Sequence, residues 1–181
     1  RDLDSYRDAL RDVRVEDHID RVFELANVES VVMTNDPFDL VEQPVWLTER
    51  AGDSRFLPAL RIDPLLNTYE DGGRSTLVAL GYDADAALSG KGLAEIRRFL
   101  DDWITRMEPQ YMAVSLPPEF AYPEESARGT IIRECVLPVS RERNVPFAVM
   151  IGVKRAVNPR LRMAGDGMGK ADMSNLERML A

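Results

Sequence analysis

The sequence runs to 181 residues, long enough for one domain with its own core. Its 23 basic and 31 acidic residues leave a net charge of −8, which argues against a general nucleic-acid binder, since such proteins carry a basic face. No run of about 18 apolar residues is present to cross a membrane, and the charged opening RDLDSYRDALRD does not read as a secretory signal. These features predict a cytoplasmic protein with neither a nucleic-acid nor a membrane partner.

The first elements are helices, over residues 2–12 and then 16–27, where Ile19, Val22, Phe23 and Ala26 share one face. His18, the lone histidine, lies in the second and reads as a surface or capping residue. VESVVMT (28–34) predicts a buried strand ended by the turn signal NDP. Residues 37–50 predict a short helix and a loop. RFLPALRI (55–62) is the next strand, with Pro58 against it because proline cannot donate a ladder hydrogen bond. LLNTYEDG predicts a helical turn. Two helices follow, RSTLVALGYDADAAL (74–88) and GLAEIRRFLDDWITRM, the latter with Leu93, Ile96, Leu100, Trp103 and Ile104 on one stripe. YMAVSLP (111–117) is a third strand. EESARGTIIRECVLPVSRER (124–143) is a helix, kinked or ended at Pro138. PFAVMIG (146–152) is a fourth strand, and Asp172 caps a last helix, MSNLERML. Apolar strands alternating with helices predict parallel βαβ units, whose chemistry sits at the carboxyl ends of the strands.

Cys135, the one cysteine, precludes a disulfide within the chain and fits a reducing compartment. In the helical pattern TIIRECVLPV it reads as a small core residue rather than a nucleophile. With one cysteine and one histidine, a Cys/His zinc site and a serine–histidine triad are both nearly excluded.

Four strand ends, TNDPFD, RIDP, SLPPEF and the loop after the fourth strand, then remain to be weighed. TNDPFD offers two carboxylates and an amide, suited to metal, sugar-hydroxyl or capping work; Asn35 or Asp36 capping a helix begun by Pro37 is the favoured reading. In RIDP, Arg61 and Asp63 point to one side of an extended chain. Arg61 fits either a fork for a carboxylate or a local pair with Asp63. After the fourth strand, Lys154 and Arg155 form a basic patch. The stretch around Gly169-Lys170 is not a P-loop, because Ala164 and Ala171 stand where a glycine and a hydroxyl are needed. Gly165, Gly167 and Gly169 fit an anion nest, or glycines required for positive φ in a winding loop.

Taken in order, TNDPFD, LRIDPLLN and FAVMIGVKRAVNPRLRMAGDGMGKAD resemble the uronate isomerase (glucuronate isomerase) family of the amidohydrolase superfamily. Thr34, Asp36, Pro37 and Asp39 match its Thr-Asp-Asp-Pro-x-Asp stretch. Arg61 and Asp63 match its Phe-Arg-Pro-Asp stretch, with Ile62 replacing proline. Ile151, Gly152, Arg155 and Asn158 match its His-Ile-Gly-x-x-Arg-x-x-Asn stretch.

The resemblance implies an α/β fold, part of a (β/α)8 TIM-type barrel with about four parallel βα units. A full barrel needs eight strands and about 250 residues, so residues 1–181 are expected to be the middle section of one barrel domain. It also implies aldose–ketose isomerisation of an acidic sugar, D-glucuronate to D-fructuronate or the galacturonate counterpart, in a homo-oligomer. Arg61 is the expected clamp for the sugar carboxylate, with Asp63, Arg155 and Asn158 as further substrate-binding residues. Asp36 is a candidate catalytic base, with residues outside this chain as the alternative. A divalent metal such as zinc is expected to take its ligands outside this chain. Met150 stands at the family's histidine, and Val114-Ser115-Leu116-Pro117 replaces a Ser-Asp-His-like stretch. Those departures motivate an alternative: a barrel relative that runs a different hydrolytic reaction, or only binds a sugar acid or other anion. A stand-alone domain whose basic 154–170 loop docks an acidic partner is the third reading.

Overall fold

The structure, a computed structural model, describes residues 3–48 and 52–181. Strands β1 (Val31–Asn35), β2 (Phe56–Arg61), β3 (Met112–Leu116) and β4 (Phe147–Ile151) are parallel, in the spatial order β1-β2-β3-β4. Spatial order therefore follows chain order. A doubly wound sheet reverses its strand order at a switch point, whereas a barrel wall lays each strand beside the last. The four βα units expected from the sequence are present as such a wall.

Helices α1 (Leu3–Leu10) and α2 (Val15–Ala26) match the first two predicted helices, apart from residue 2, which lies outside the described residues. The apolar face predicted for α2 does not enter the core: no residue of α2 is buried. Phe23 instead meets Phe56 edge-on at 5.6 Å, under the Arg55 guanidinium. Strand β1 begins three residues later than predicted and is not buried, with Val31, Val32 and Met33 between 37% and 42% exposed. Its apolar residues match a barrel strand, but β2 is its one partner in the sheet. The region 37–50 contains α3 (Gln43–Thr48), and residues 49 and 50 lie outside the described ones.

Pro58 sits in the interior of the sheet after all. The β2–β3 ladder begins only at Leu60, whose N–H donates to Tyr111 O. The missing donor at Pro58 thus falls before the ladder, while its carbonyl accepts from Gln110 N at 2.8 Å. Helix α4 (Asp63–Asn67), a π turn over Tyr69–Gly73 and α5 (Arg74–Ala79) follow. The helix predicted over 74–88 stops at Ala79, because the chain turns through Gly81 at φ +88° and Leu88 at φ +50°.

Helix α6 (Gly90–Met107) starts at Ser89, whose hydroxyl accepts from Gly92 N. It buries Ile96, Leu100, Trp103 and Ile104 as expected, and also Phe99 and Met107. Phe99 is the centre of an aromatic group, 5.3 Å from both Phe38 and Tyr82 and 6.3 Å from Trp103 between ring centroids. The next crossover is continuous: α7 (Ala127–Ile131), a π turn (Ile132–Val136) and α8 (Leu137–Arg143). Pro138 neither ends nor replaces it, since the widened turn just before it accommodates the missing N–H and the ring. A two-stranded ribbon, β5 (Val153–Lys154) with β6 (Gly167–Met168), follows β4, and α9 (Ser174–Leu180) closes the chain. Buried Asn175 locks α9 down, accepting from Tyr122 N at 2.8 Å and donating to Phe120 O at 3.0 Å.

Phe99→Ala removes the ring that joins α6 to the loop after β1. It is expected to lower stability by about 3–5 kcal/mol, read as a lower urea midpoint at unchanged slope.

Candidate functional site

The carboxyl ends of β1, β2 and β3 bring three of the predicted motifs together. Arg61, the last residue of β2, donates from Nε to Asp63 Oδ2 at 2.6 Å, and its Nη2 lies 2.6 Å from the same oxygen as an ion pair. Nη2 also reaches Ser115 Oγ on β3 at 3.1 Å. The other oxygen of Asp63 accepts from Ser115 N at 3.0 Å. So the local pair foreseen for RIDP forms, and it is also a tie between β2 and β3. The guanidinium's Nε edge is spent on Asp63. Its Nη1 makes no hydrogen bond to the described residues, which leaves one donor edge of a fixed cation for another anion. Nothing in the sequence singles out Ser115; the register sets Ala113 beside Arg61 and so brings Ser115, two residues on, within reach of the guanidinium, which spacing does not reveal. Asn67 Nδ2 then donates to Ser115 O at 2.9 Å, and Arg128 links Asn67 to Glu124.

At the end of β1, Asp36 Oδ1 accepts from Phe38 N at 2.9 Å, an Asx turn rather than the cap of a helix begun by Pro37. Burial pushes the Asp36 carboxyl above the ordinary carboxylate range; the Phe38 N–H opposes this, nearby Asp63 and Glu42 add to it, and Arg61 opposes it. Asp36 therefore shares the electrostatic neighbourhood of the Arg61–Asp63 pair. Asp39 caps the following turn, taking Val41 N at 2.7 Å and Glu42 N at 3.0 Å.

Arg155 and Asn158 occupy a different structure. Arg155 pairs with Asp166 at 2.5 Å, and Asp166 also takes Ala156 N at 2.8 Å. Asn158 Oδ1 accepts from Arg160 N at 3.2 Å, and its own N–H donates to Gly165 O. Among the described residues no hydrogen bond joins either side chain to the Arg61 cluster. The three loop glycines are not in the left-handed region, which falls instead to Ala156 and Arg162. Two of them permit close approach: a Cβ at Gly165 would lie 2.1 Å from Asn158 O, and one at Gly169 2.5 Å from Pro118. The Gly169 N–H is committed to Gly152 O at 2.7 Å, so that donor is not left for an anion nest.

Cys135 is buried, with its thiol pushed up to about 12 by burial, as befits a core residue and not a nucleophile. His18 is exposed on α2. Among the described residues no group of three or more His, Cys, Asp or Glu is placed to hold a metal ion. No described helix is long and apolar enough to cross a membrane. A cavity of about 620 Å3 opens elsewhere, between α3, Tyr82 and the second half of α6.

Similarity to solved structures follows the same architecture. A uronate isomerase of Bacillus halodurans is 52% identical over 99% of this chain, with a TM-score of 0.94; the chain spans 42% of that protein's length. A glucuronate isomerase of Caulobacter crescentus (14% identity, 88% of this chain, 39% of that one, TM-score 0.60) shares the fold. So does a uronate isomerase of Thermotoga maritima (15% identity, 88% and 42%, TM-score 0.62). No family model matches the chain, and no curated protein matches it significantly.

The backbone amide of Ala156 gives a direct test of loop closure. Its Ala156 N–H bond, then its Arg155 pair, hold the Asp166 carboxyl below the ordinary range. A lowered folded pKa means closure is fully supported above the unfolded value and lost as the pH falls through the folded one. Asp166→Asn is expected to lower the protection factor of the Ala156 amide at neutral pH, and acidification of the wild type below about pH 4 to lower it likewise once the slower intrinsic exchange in acid is divided out.

Proposed function

This chain belongs with the uronate isomerases, and we propose that the protein it comes from interconverts an aldouronate and a ketouronate, as D-glucuronate and D-fructuronate are interconverted. The observation that carries the reading is Arg61. It is a cation fixed by Asp63 and Ser115 at the mouth of three parallel strands, with one donor edge uncommitted among the described residues. A sugar acid brings a permanent carboxylate to such a site, and a charge-assisted hydrogen bond there orients the open-chain sugar.

The isomerisation needs no oxidant. A base takes the C2 proton, O1 gains a proton, O2 loses one, and a proton is returned to C1. Arg61 is assigned the sugar carboxylate. Asp63 is assigned chiefly to holding Arg61 and less to touching substrate. Asp36, half-buried and raised above the ordinary carboxylate range, is the candidate base within this chain. Arg155 and Asn158 belong to a loop braced by Asp166, and their part is to form a wall of the pocket. The chain forms the middle of a single barrel domain of the amidohydrolase type, in a cytoplasmic homo-oligomer. The described residues do not fit a metal ion, and a zinc ion serving the protein would be held by residues outside this chain.

The test uses the protein from the complete gene, incubated with zinc and with D-glucuronate or D-galacturonate, with ketose formation followed by proton NMR. Turnover of either is expected; none, from folded protein with bound metal, overturns the reading. Arg61→Ala is expected to remove a charge-assisted contact worth about 1.5–3 kcal/mol, so kcat/KM falls roughly 10- to 150-fold. Asp63→Asn is expected to raise KM as well, by releasing Arg61 from its fixed position.

A further inference from the structure

One buried polar arrangement is not used by the reading above. Glu42, in the loop between β1 and α3, turns its carboxylate back toward the end of β1. Oε1 accepts from Asn35 Nδ2 and from Trp46 Nε1, the latter at 3.1 Å, and Oε2 accepts from the Asp36 backbone N–H at 3.1 Å. Asn35 is only 6% exposed, so its amide has little water to turn to and depends on this acceptor. Glu42 is itself held, through its N–H on Asp39. Three donors thus converge on one carboxylate, one from α3 and two from consecutive residues, the last of β1 and the one after it.

We propose that Glu42 is a positioning residue of the strand-end site: by gripping Asn35 and the Asp36 backbone, it sets where the Asp36 carboxyl stands relative to the Arg61–Asp63 pair. The proposal rests on the isomerase reading with Asp36 at the site. Its physical content is geometric and electrostatic together. The charged groups that bear on Asp36 are Asp63 and Arg61 from the end of β2 and the start of α4, and Glu42 from its own loop. Of these, Glu42 alone also holds the Asp36 backbone. An aspartate at 42 would keep the charge but be too short to span all three donors. A glutamine would keep the length but lose the charge, and would turn an amide N–H toward the Asp36 N–H.

The two variants separate those effects in the full-length protein. Glu42→Gln is expected to leave KM for D-glucuronate within about twofold, lower kcat at least tenfold, and shift the acid limb of the pH–kcat/KM profile down. The direction follows because a neighbouring negative charge that disfavours ionisation of Asp36 has been removed. The Asp36 carboxyl, followed by 13C NMR titration, should shift the same way. Glu42→Asp is expected to lower kcat while the Asp36 titration stays near wild type. A merely structural role would lower the melting temperature and leave both the acid limb and the Asp36 titration in place, and that outcome overturns the proposal. So does wild-type kcat in Glu42→Asp, which decides the matter should Glu42→Gln fail to fold. If the wild type turns over neither uronate, it is the isomerase reading that has failed. The Asp36 titration in Glu42→Gln still decides whether Glu42 governs that carboxyl.

Discussion

The Asp63 carboxylate joins two strand ends that the sheet itself joins only briefly. Strands β2 and β3 pair at Leu60 with Met112 and at Arg61 with Ala113, the shortest ladder in the wall. Just past it, one oxygen of Asp63 takes Ser115 N and the other takes Arg61. The same group therefore extends the ladder and aims the guanidinium, from the first residue of α4. A carboxylate that accepts both a backbone N–H and a cation in a half-buried place is strongly held, and it holds its partners in turn. The rest of the strand-end surface is arranged around that tie: Asn67 and Arg128 brace the Ser115 side, while Asp36 and Glu42 border the other.

The wall is asymmetric in a way that suits this reading. Its core lies between β2, β3 and the helices α6 to α8, where Leu60, Val114, Phe99 and Ile132 have no exposure. Strands β1 and β4 carry apolar residues of the same kind but stay half open, each with one strand neighbour. Parallel strands are ordinarily buried on both faces and flanked on both edges. Four units in chain order, open at both edges, are what a section of a barrel looks like. That agrees with the share of the Bacillus halodurans enzyme that the chain spans.

Several residues carried their meaning in their type and order alone. Arg61 and Asp63 stood two apart at a strand end, and an extended chain puts such residues on one side. Asp36 followed a β-branched run and preceded a proline, which marks a turn at a strand end. Glu42 and Ser115 carried no such mark. Glu42 matters because the chain from Asp36 folds back on itself and brings it to Asn35, and Ser115 because the register, with Ala113 beside Arg61, brings it within reach of the Arg61 side chain. Phe99 was hidden for a related reason: helical spacing indicates a stripe, but which border residues are buried depends on the neighbours, here Phe38 and Tyr82. The glycines after β4 were legible as necessary. For Gly165 and Gly169 the reason was not positive φ but the backbone and proline atoms that pass within about 2.5 Å of the missing Cβ.

Local patterns thus determined the alternation of strands and helices, the position of the four strand ends, the core role of Cys135 and the family likeness. Each of these follows from side-chain period, turn chemistry or residue order, which operate over a few residues. Tertiary structure alone decided that Pro58 is harmless inside the sheet and that Arg155 serves Asp166 within its loop. It also decided that the Arg61 fork is largely spent on Asp63 and Ser115, and that Asp36 lies close enough to feel both members of that pair. All four depend on which strand lies beside which and in what register. Such contacts join residues as far apart in the chain as Arg61 and Ser115, and no local pattern carries them.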